Sequence, residues 1–229
     1  MTSARARSFR GHRLCLGLLI LLAAGMTIAG DPGRTASEAD PAAVRAYFAG
    51  RELRVLTFLG YSGAGYEDPT AMLDHARRVL ERYDPKSTIV NGGATAEGIG
   101  AVYALAKDRG FPTTGIVSTK ALIERVPLSP HVDRVFFVPD PTWGGFLKGT
   151  ALLSPTSQAM VENSDVLVAI GGGDVARDEM IAAQRSGKPV EFIPADLNHR
   201  QALDKARRES LPAPTDFGGT AATVPSRPR

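Results

Sequence analysis

Short apolar runs alternate with segments of helical periodicity along most of the chain. Six runs read as strands: Arg54 to Gly60, Ser87 to Asn91, Thr113 to Ser118, Arg134 to Pro139, Val166 to Ile170 and Pro189 to Pro194. The run "VLVAI" at 166–170 lacks polar alternation, which is how a strand reads when both its faces are covered. Helical stretches intervene at Pro69 to Arg82, Ala94 to Arg109, Thr156 to Asn163 and Val175 to Ser186, and in the last of these Ala176, Met180 and Ala183 recur at spacings of four and three. Strand and helix units in this order predict an α/β fold: a Rossmann-like three-layer sandwich around a mostly parallel sheet of about six strands.

The two ends of the chain break the alternation. Arg5, Arg7, Arg10 and Arg13 precede an apolar stretch from Leu14 to Ala24, and Thr27 and Ala29 are small residues suited to a cleavage site. Residues 1–29 therefore read as an export signal, giving a periplasmic or extracellular protein. The alternative is an uncleaved anchor, with the membrane met only through this leader. Its apolar stretch from Leu14 to Gly30 is short for a bilayer that needs about twenty residues. Residues 30–50 read as a linker with room for a short helix around Pro41 to Ala49, 51–199 as the folded domain, and 200–229 as a short helix followed by a disordered tail rich in Pro, Ala, Thr and Gly.

Charge changes meaning once the leader is set aside. The chain carries 27 Lys and Arg against 24 Asp and Glu, and loss of the four leader arginines leaves 23 against 24. A near-neutral domain gives no electrostatic reason to expect nucleic acid as a partner. The single cysteine, Cys15, lies in the leader, so the domain has no thiol for a disulfide, a zinc site or a nucleophile. His12, His75, His131 and His199 show no metal-ligand spacing, and neither a metal nor a cofactor is expected.

Candidate chemistry gathers at the ends of three strands, where open parallel sheets place their ligands. The first runs into "GYSGAGYEDP", the second into "NGGATAEGIG" and the fifth into "GGGDVARDEM". A glycine turn that opens a helix leaves unpaired N–H groups accessible to an anion. Gly60, Ser62 and Gly63, then Asn91, Gly92, Gly93 and Thr95, then Gly171, Gly172, Gly173, Asp174 and Val175 are thus the candidate ligand-binding and phosphate-binding residues. The simpler reading makes these glycines turn residues, Ser62 and Thr95 turn or cap residues, and Gly98 and Gly100 points of close helix-to-sheet packing. A dinucleotide fingerprint is not met, because Gly60, Gly63 and Gly65 miss the G-x-G-x-x-G spacing and Asn91 stands where an acid would take the ribose. A P-loop is excluded, since no glycine turn is followed by Lys and then Ser or Thr.

Together "FLGYSGAG", "IVNGGATAEGIGAVYALAKDRG" and "VLVAIGGGDVARDE" resemble the SLOG superfamily, over about Arg51 to Pro194. That group contains the Lonely Guy-type phosphoribohydrolases and the DNA-processing protein A family. The resemblance implies a Rossmann-like sheet with a nucleotide or nucleotide-derived ligand at these loops, and in the Lonely Guy branch cleavage of the N-glycosidic bond of a nucleoside monophosphate. It also makes pairing of two copies through a sheet-flanking helix an expectation. Against the hallmark P-G-G-x-G-T-x-x-E, Gly172 and Gly173 match the glycines and Glu179 the glutamate, whereas Gly171 replaces Pro and Val175 and Ala176 replace Gly-Thr. The family's upstream basic pair falls on Thr156 and Ser157.

These departures bear on activity. A catalytic Glu179 would have to stay charged beside the sugar to stabilise an oxocarbenium-like cation. Otherwise it is a solvated glutamate early in a helix. Asp174 adds an acid at the mouth of the anion site, unless it caps the helix, pairs with Arg177 or holds a cation. The irregular stretch from Phe137 to Pro155 suits a binding loop, with Trp143 and Phe146 placed to stack on a base and Lys148 to meet a phosphate, or with Trp143 simply covering the sheet. The sequence thus leads to an exported domain that binds a nucleotide or nucleotide-derived small molecule. A phosphoribohydrolase and a non-catalytic interaction protein with a vestigial pocket are the alternatives.

Overall fold

The computed structural model describes residues 35–227, so the stretch expected to be an export signal, residues 1–29, lies outside the described residues. The strands are β1 Thr35–Glu38, β2 Arg54–Gly60, β3 Thr88–Gly92, β4 Thr113–Ser118, β5 Arg134–Val138, β6 Val166–Ile170 and β7 Val190–Ile193. Between and after them run α1 Pro41–Ala49, α2 Pro69–Leu80, α3 Val102–Asp108, α4 Lys120–Ile123, α5 Pro155–Glu162, α6 Asp174–Arg185 and α7 His199–Arg208. All pairings are parallel and the spatial order is β1-β5-β4-β3-β2-β6-β7. From β2 the chain steps outward through β3, β4 and β5, then returns to lay β6 on the other side of β2. The strand order therefore reverses between β2 and β6, and a crevice opens where the two following loops diverge.

The period of two along each strand divides the core between two faces. Val55, Leu59, Leu167 and Ala169 meet α1, α5 and α6 through Val44, Phe48, Met160 and Met180. Leu56, Phe58, Val166, Val168 and Ile170 meet α2 and α3 through Met72, Ala76, Val79 and Val102. Each fully buried Leu, Ile or Phe contributes about 1.5–3 kcal/mol relative to exposure, which is why strands this short hold their register. Local signals start the helices. Asp68 Oδ1 accepts the Ala71 N–H at 2.8 Å ahead of Pro69, and Arg77 and Arg78 fill the last turn of α2. No helix among the described residues is long and apolar enough to cross a membrane.

Three regions differ from the expectation. Residues 35–38, expected as linker, form β1, which pairs with β5 from Thr35 opposite Arg134 to Glu38 opposite Phe137 and makes the seventh strand, while α1 at Pro41–Ala49 is the short helix expected there. The helix expected from Ala94 begins later, as a 3-10 turn at Gly98–Ala101 followed by α3. Gly98 has φ +58°, and a Cβ there would strike the carbonyls of Tyr61 and Ser62, so the turn presses onto the loop after β2.

The C-terminal segment, expected as a disordered tail, is folded back onto the sheet. Ala221 donates its N–H to the Gly172 carbonyl at 3.0 Å, and Ala221 and Val224 are buried. The His199 and Phe217 rings stack at 3.9 Å, and Tyr61 donates its hydroxyl to the Phe217 carbonyl at 3.2 Å. At the outer edge of β7, Val190 and Arg227 exchange both backbone hydrogen bonds, at 3.1 and 2.7 Å, and the Phe192 N–H donates to Ser226 Oγ at 2.8 Å. Few large apolar residues lie in this segment. Backbone pairing holds it, which leaves little trace in composition.

Candidate functional site

Two buried tyrosines fix the loops at the strand ends. Tyr66 donates to the Ile170 carbonyl at 2.7 Å while accepting the Tyr61 N–H at 3.2 Å, tying the loop after β2 to the end of β6. Tyr103 donates to the Thr114 carbonyl at 2.9 Å and accepts the Ala94 N–H at 3.2 Å, tying the loop after β3 to β4. Burial pushes both phenols above their ordinary range, so they stay protonated donors.

Beyond these ties lies a cleft of about 420 Å³, large enough for a small molecule. Gly60, Ser62 and Gly63 form one rim and Gly93, Thr95 and Glu97 another. Val126, Pro127 and Leu128 make an apolar wall, while Trp143, Thr156, Met160, Val175, Ala176 and Glu179 close the side facing α5 and α6. Glu97 and Glu179 are the only ionisable side chains among the lining residues, with no Lys, Arg or His beside them.

Of the residues singled out from sequence, Gly60, Ser62, Gly63, Gly93, Thr95, Val175 and Glu179 converge on this cleft, and Trp143 joins them. Ser62 is exposed at the mouth. The Thr95 hydroxyl is engaged in its own turn, with 3.3 Å contacts to the Glu97 N–H and carbonyl.

Other expected site residues are placed elsewhere. Asn91 is fully buried: it donates to Thr57 Oγ1 at 3.1 Å and to Met160 Sδ at 3.1 Å and accepts from Thr114 Oγ1 at 3.0 Å, so it organises polar groups inside the sheet. Gly92 is buried against the Tyr103 hydroxyl and the Phe58 carbonyl. Gly171 and Gly172, at φ +57° and +131°, are buried, Gly171 against Tyr61 and the Ala195 carbonyl and Gly172 against residues 219–221, and neither lines the cleft. Gly173 has φ −93° and open space where a Cβ would lie, so it needs no glycine-only geometry; it is the N-cap of α6, without a side-chain cap bond.

Asp174 does not stand at the mouth of the cleft. It points into solvent, pairs with Arg177 at 2.9 Å and accepts from Thr220 Oγ1 at 2.8 Å. Phe146 lies under the Arg185 guanidinium at 5.8 Å, and Lys148 is exposed away from the cleft.

Glu179 is the chemical centre of the arrangement. Ser157, where the resemblance aligns half of the basic pair, donates to Glu179 Oε1 at 2.6 Å and accepts the Gly145 N–H at 2.7 Å, so its proton is directed at the carboxylate. Gly144 and Gly145, both with positive φ, let the loop after β5 lie on this pair, and the next amide, Phe146 N–H, donates to Asp178 Oδ2 at 2.8 Å. Asp178 takes two further bonds from Arg177. Burial pushes the Glu179 carboxyl up from its ordinary 4.5 to about 7; the Ser157 bond opposes this and the Asp178 charge adds to it. Glu179 is therefore not the fixed anion that stabilising a sugar cation requires. It is a carboxyl able to hold or release a proton near neutrality. Thr156, the other position of that pair, is buried in the cleft wall, and its hydroxyl has no hydrogen-bond partner among the described residues.

Glu97 and the wall at Val126 to Leu128 were not anticipated. Both follow strands at positions that tertiary folding brings to the mouth, and the isolated pairing of Thr95 with Leu128 joins them.

No protein-family model matches the chain, and no curated protein matches it. Solved structures with a similar fold include the molybdenum cofactor carrier protein of Chlamydomonas reinhardtii, 20% identical over 61% of this chain and 76% of that one, with a TM-score of 0.44. TM1055, a structural-genomics target, is 21% identical over 60% of this chain and 72% of that one, with a TM-score of 0.44. DNA processing protein A from Streptococcus pneumoniae is 12% identical over 69% of this chain and 57% of that one, with a TM-score of 0.43.

Proposed function

We propose that the chain binds a nucleotide or nucleotide-derived small molecule in the cleft between the loops after β2, β3 and β6. The supporting observation is a ligand-sized cleft at the point where the strand order reverses, with an aromatic side chain at its mouth and Val175 and Ala176 of the α6 first turn in its wall. A planar ring would stack on Trp143 against the apolar wall.

Calorimetry with a panel of nucleosides, AMP, ADP-ribose and cyclic nucleotides tests the reading. The sharpest variant is Gly93→Leu. Gly93 lines the cleft, lacks a positive φ and has no atom within 4 Å of a Cβ, so leucine enters the cleft without straining the fold. At least one panel member binds the wild type, and Gly93→Leu weakens it at least tenfold with the melting temperature preserved. Absence of binding by every member at millimolar concentration ends the proposal.

A hydrolytic role is supported by Glu179 facing the cleft, but in a form set by its raised pKa. It would act as a proton donor or acceptor rather than as a standing charge. Release of free base from AMP, lost in Glu179→Gln, is the outcome that role requires.

A further inference from the structure

Within that reading, we infer that the cleft selects a phosphate-free ligand, a nucleoside or its base, over the corresponding phosphorylated form. Two independent features carry the inference: the charge of the lining and the use already made of the glycine turn.

Glu97 sits at the rim beside Gly63, where a Cβ on the glycine would lie 3.9 Å from Glu97 Oε2, and Glu97 has no ion-pair partner among the described residues. A full negative charge thus faces the loop whose amides would hold a phosphate. Glu179 adds a second, partial charge near neutral pH. The opposing influence is the positive end of α6, equivalent to about half an elementary charge, which does not offset them.

Arg125, next to the wall residue Val126, is exposed and does not line the cleft, and two further cations of flanking elements are already paired. Lys120, 5.5 Å from the Trp143 ring, bonds Glu124 at 2.7 Å, and Arg177 is held by Asp174 and Asp178. A phosphomonoester, carrying up to two negative charges, would enter a cleft with no unpaired cation in its lining. A nucleoside carries none of that charge, and its amino and ribose hydroxyl groups can donate to carboxylate acceptors.

The glycine turn after β6 is meanwhile occupied from within. Ala221 bonds the Gly172 carbonyl, and Gly219 packs on Gly172 and the Tyr61 hydroxyl. Of the three glycines of the turn, Gly171 and Gly172 are covered by the chain itself, and only Gly173 stays open.

The test compares adenosine, guanosine and cytidine with their 5′-monophosphates, by calorimetry at low and high salt, on the full chain and on Glu97→Lys and Glu179→Gln. The inference expects the best nucleoside to bind at least tenfold tighter than its monophosphate. Added salt and Glu97→Lys should each narrow that gap, because the discrimination is electrostatic, and Glu179→Gln should narrow it above pH 7. Monophosphate binding equal to or tighter than nucleoside binding overturns the inference and leaves the proposed function standing. A gap unmoved by salt and by both variants overturns the charge argument, since shape would then be the cause. Failure of all six ligands to bind, with ADP-ribose or a cyclic nucleotide still bound, overturns the inference and leaves the proposed function standing.

Discussion

Gly171 and Gly172, after β6, hold positive φ angles and are buried against their own chain, Gly171 by Tyr61 and Ala195 and Gly172 by Ala221. Gly93, after β3, has no positive φ, has open space around a would-be Cβ, and lines the cleft. The two loops look alike in composition, yet one uses its glycines to let backbone approach backbone and the other leaves room for something else. Density of glycine marks a place where the chain must turn or pack closely. Only the environment of each Cβ tells which glycines remain accessible.

The largest test of this contrast is Gly172→Val. Its φ of +131° is one that branched side chains rarely adopt, and the Cβ would lie 2.7 Å from that of Ala176. Backbone strain of about 1–3 kcal/mol joined to overpacking of similar size predicts a loss of roughly 3 kcal/mol or more, read by urea denaturation. A loss under about 1 kcal/mol would mean that the two loops do not differ in the way described.

A smaller effect separates the faces of α6, whose Glu179 turns toward the open loops while Asp174 turns to solvent. The folded Glu179 carboxyl titrates near 7 against 4.5 when unfolded. Between those values the folded protein holds a proton that the unfolded chain has released. Stability is fully retained below about pH 4.5, falls as pH rises through that window, and has lost about 3 kcal/mol of this contribution above it. Glu179→Gln should therefore match the wild type near pH 5 and exceed it at pH 8, as thermal unfolding at the two pH values will show. An equal difference at both would sink the assignment.

The smallest effect is expected at Gly173, the N-cap of α6 without a side-chain cap bond. Gly173→Ser adds a capping hydroxyl and should change stability by no more than a few tenths of a kcal/mol, upward. A drop beyond 1 kcal/mol would place Gly173 with its two buried neighbours and blur the contrast.

The strands from β2 to β7 and the layer order were legible because buried parallel strands announce themselves as apolar runs. β1 was not: "TASE" is a four-residue border strand with one buried alanine, and it is recruited by pairing with β5 rather than by its own hydrophobicity. The site was legible to the level of the loop. Glu179 was found from its place in a motif, but its burial was not foreseen, since nothing in the local sequence says that Gly144 and Gly145 will lie over it. Asn91 misled for the opposite reason. A polar residue at a strand end looks available for a ligand until Thr57, Thr114 and Met160 are seen to use its hydrogen-bonding groups.

Residues 226 and 227 decide how far the sheet extends. Val190 and Phe192 are the β7 residues whose backbone groups point outward, and Arg227 and Ser226 take both N–H donors and the Val190 carbonyl, with Ser226 Oγ also 3.4 Å from the Phe192 carbonyl. A strand from another molecule that approached this border would find its template already filled. Six apolar runs stacked in parallel carry an inherent tendency to polymerise edge to edge, and at the β7 border a short polar stretch, contributing almost nothing to the core, terminates that growth.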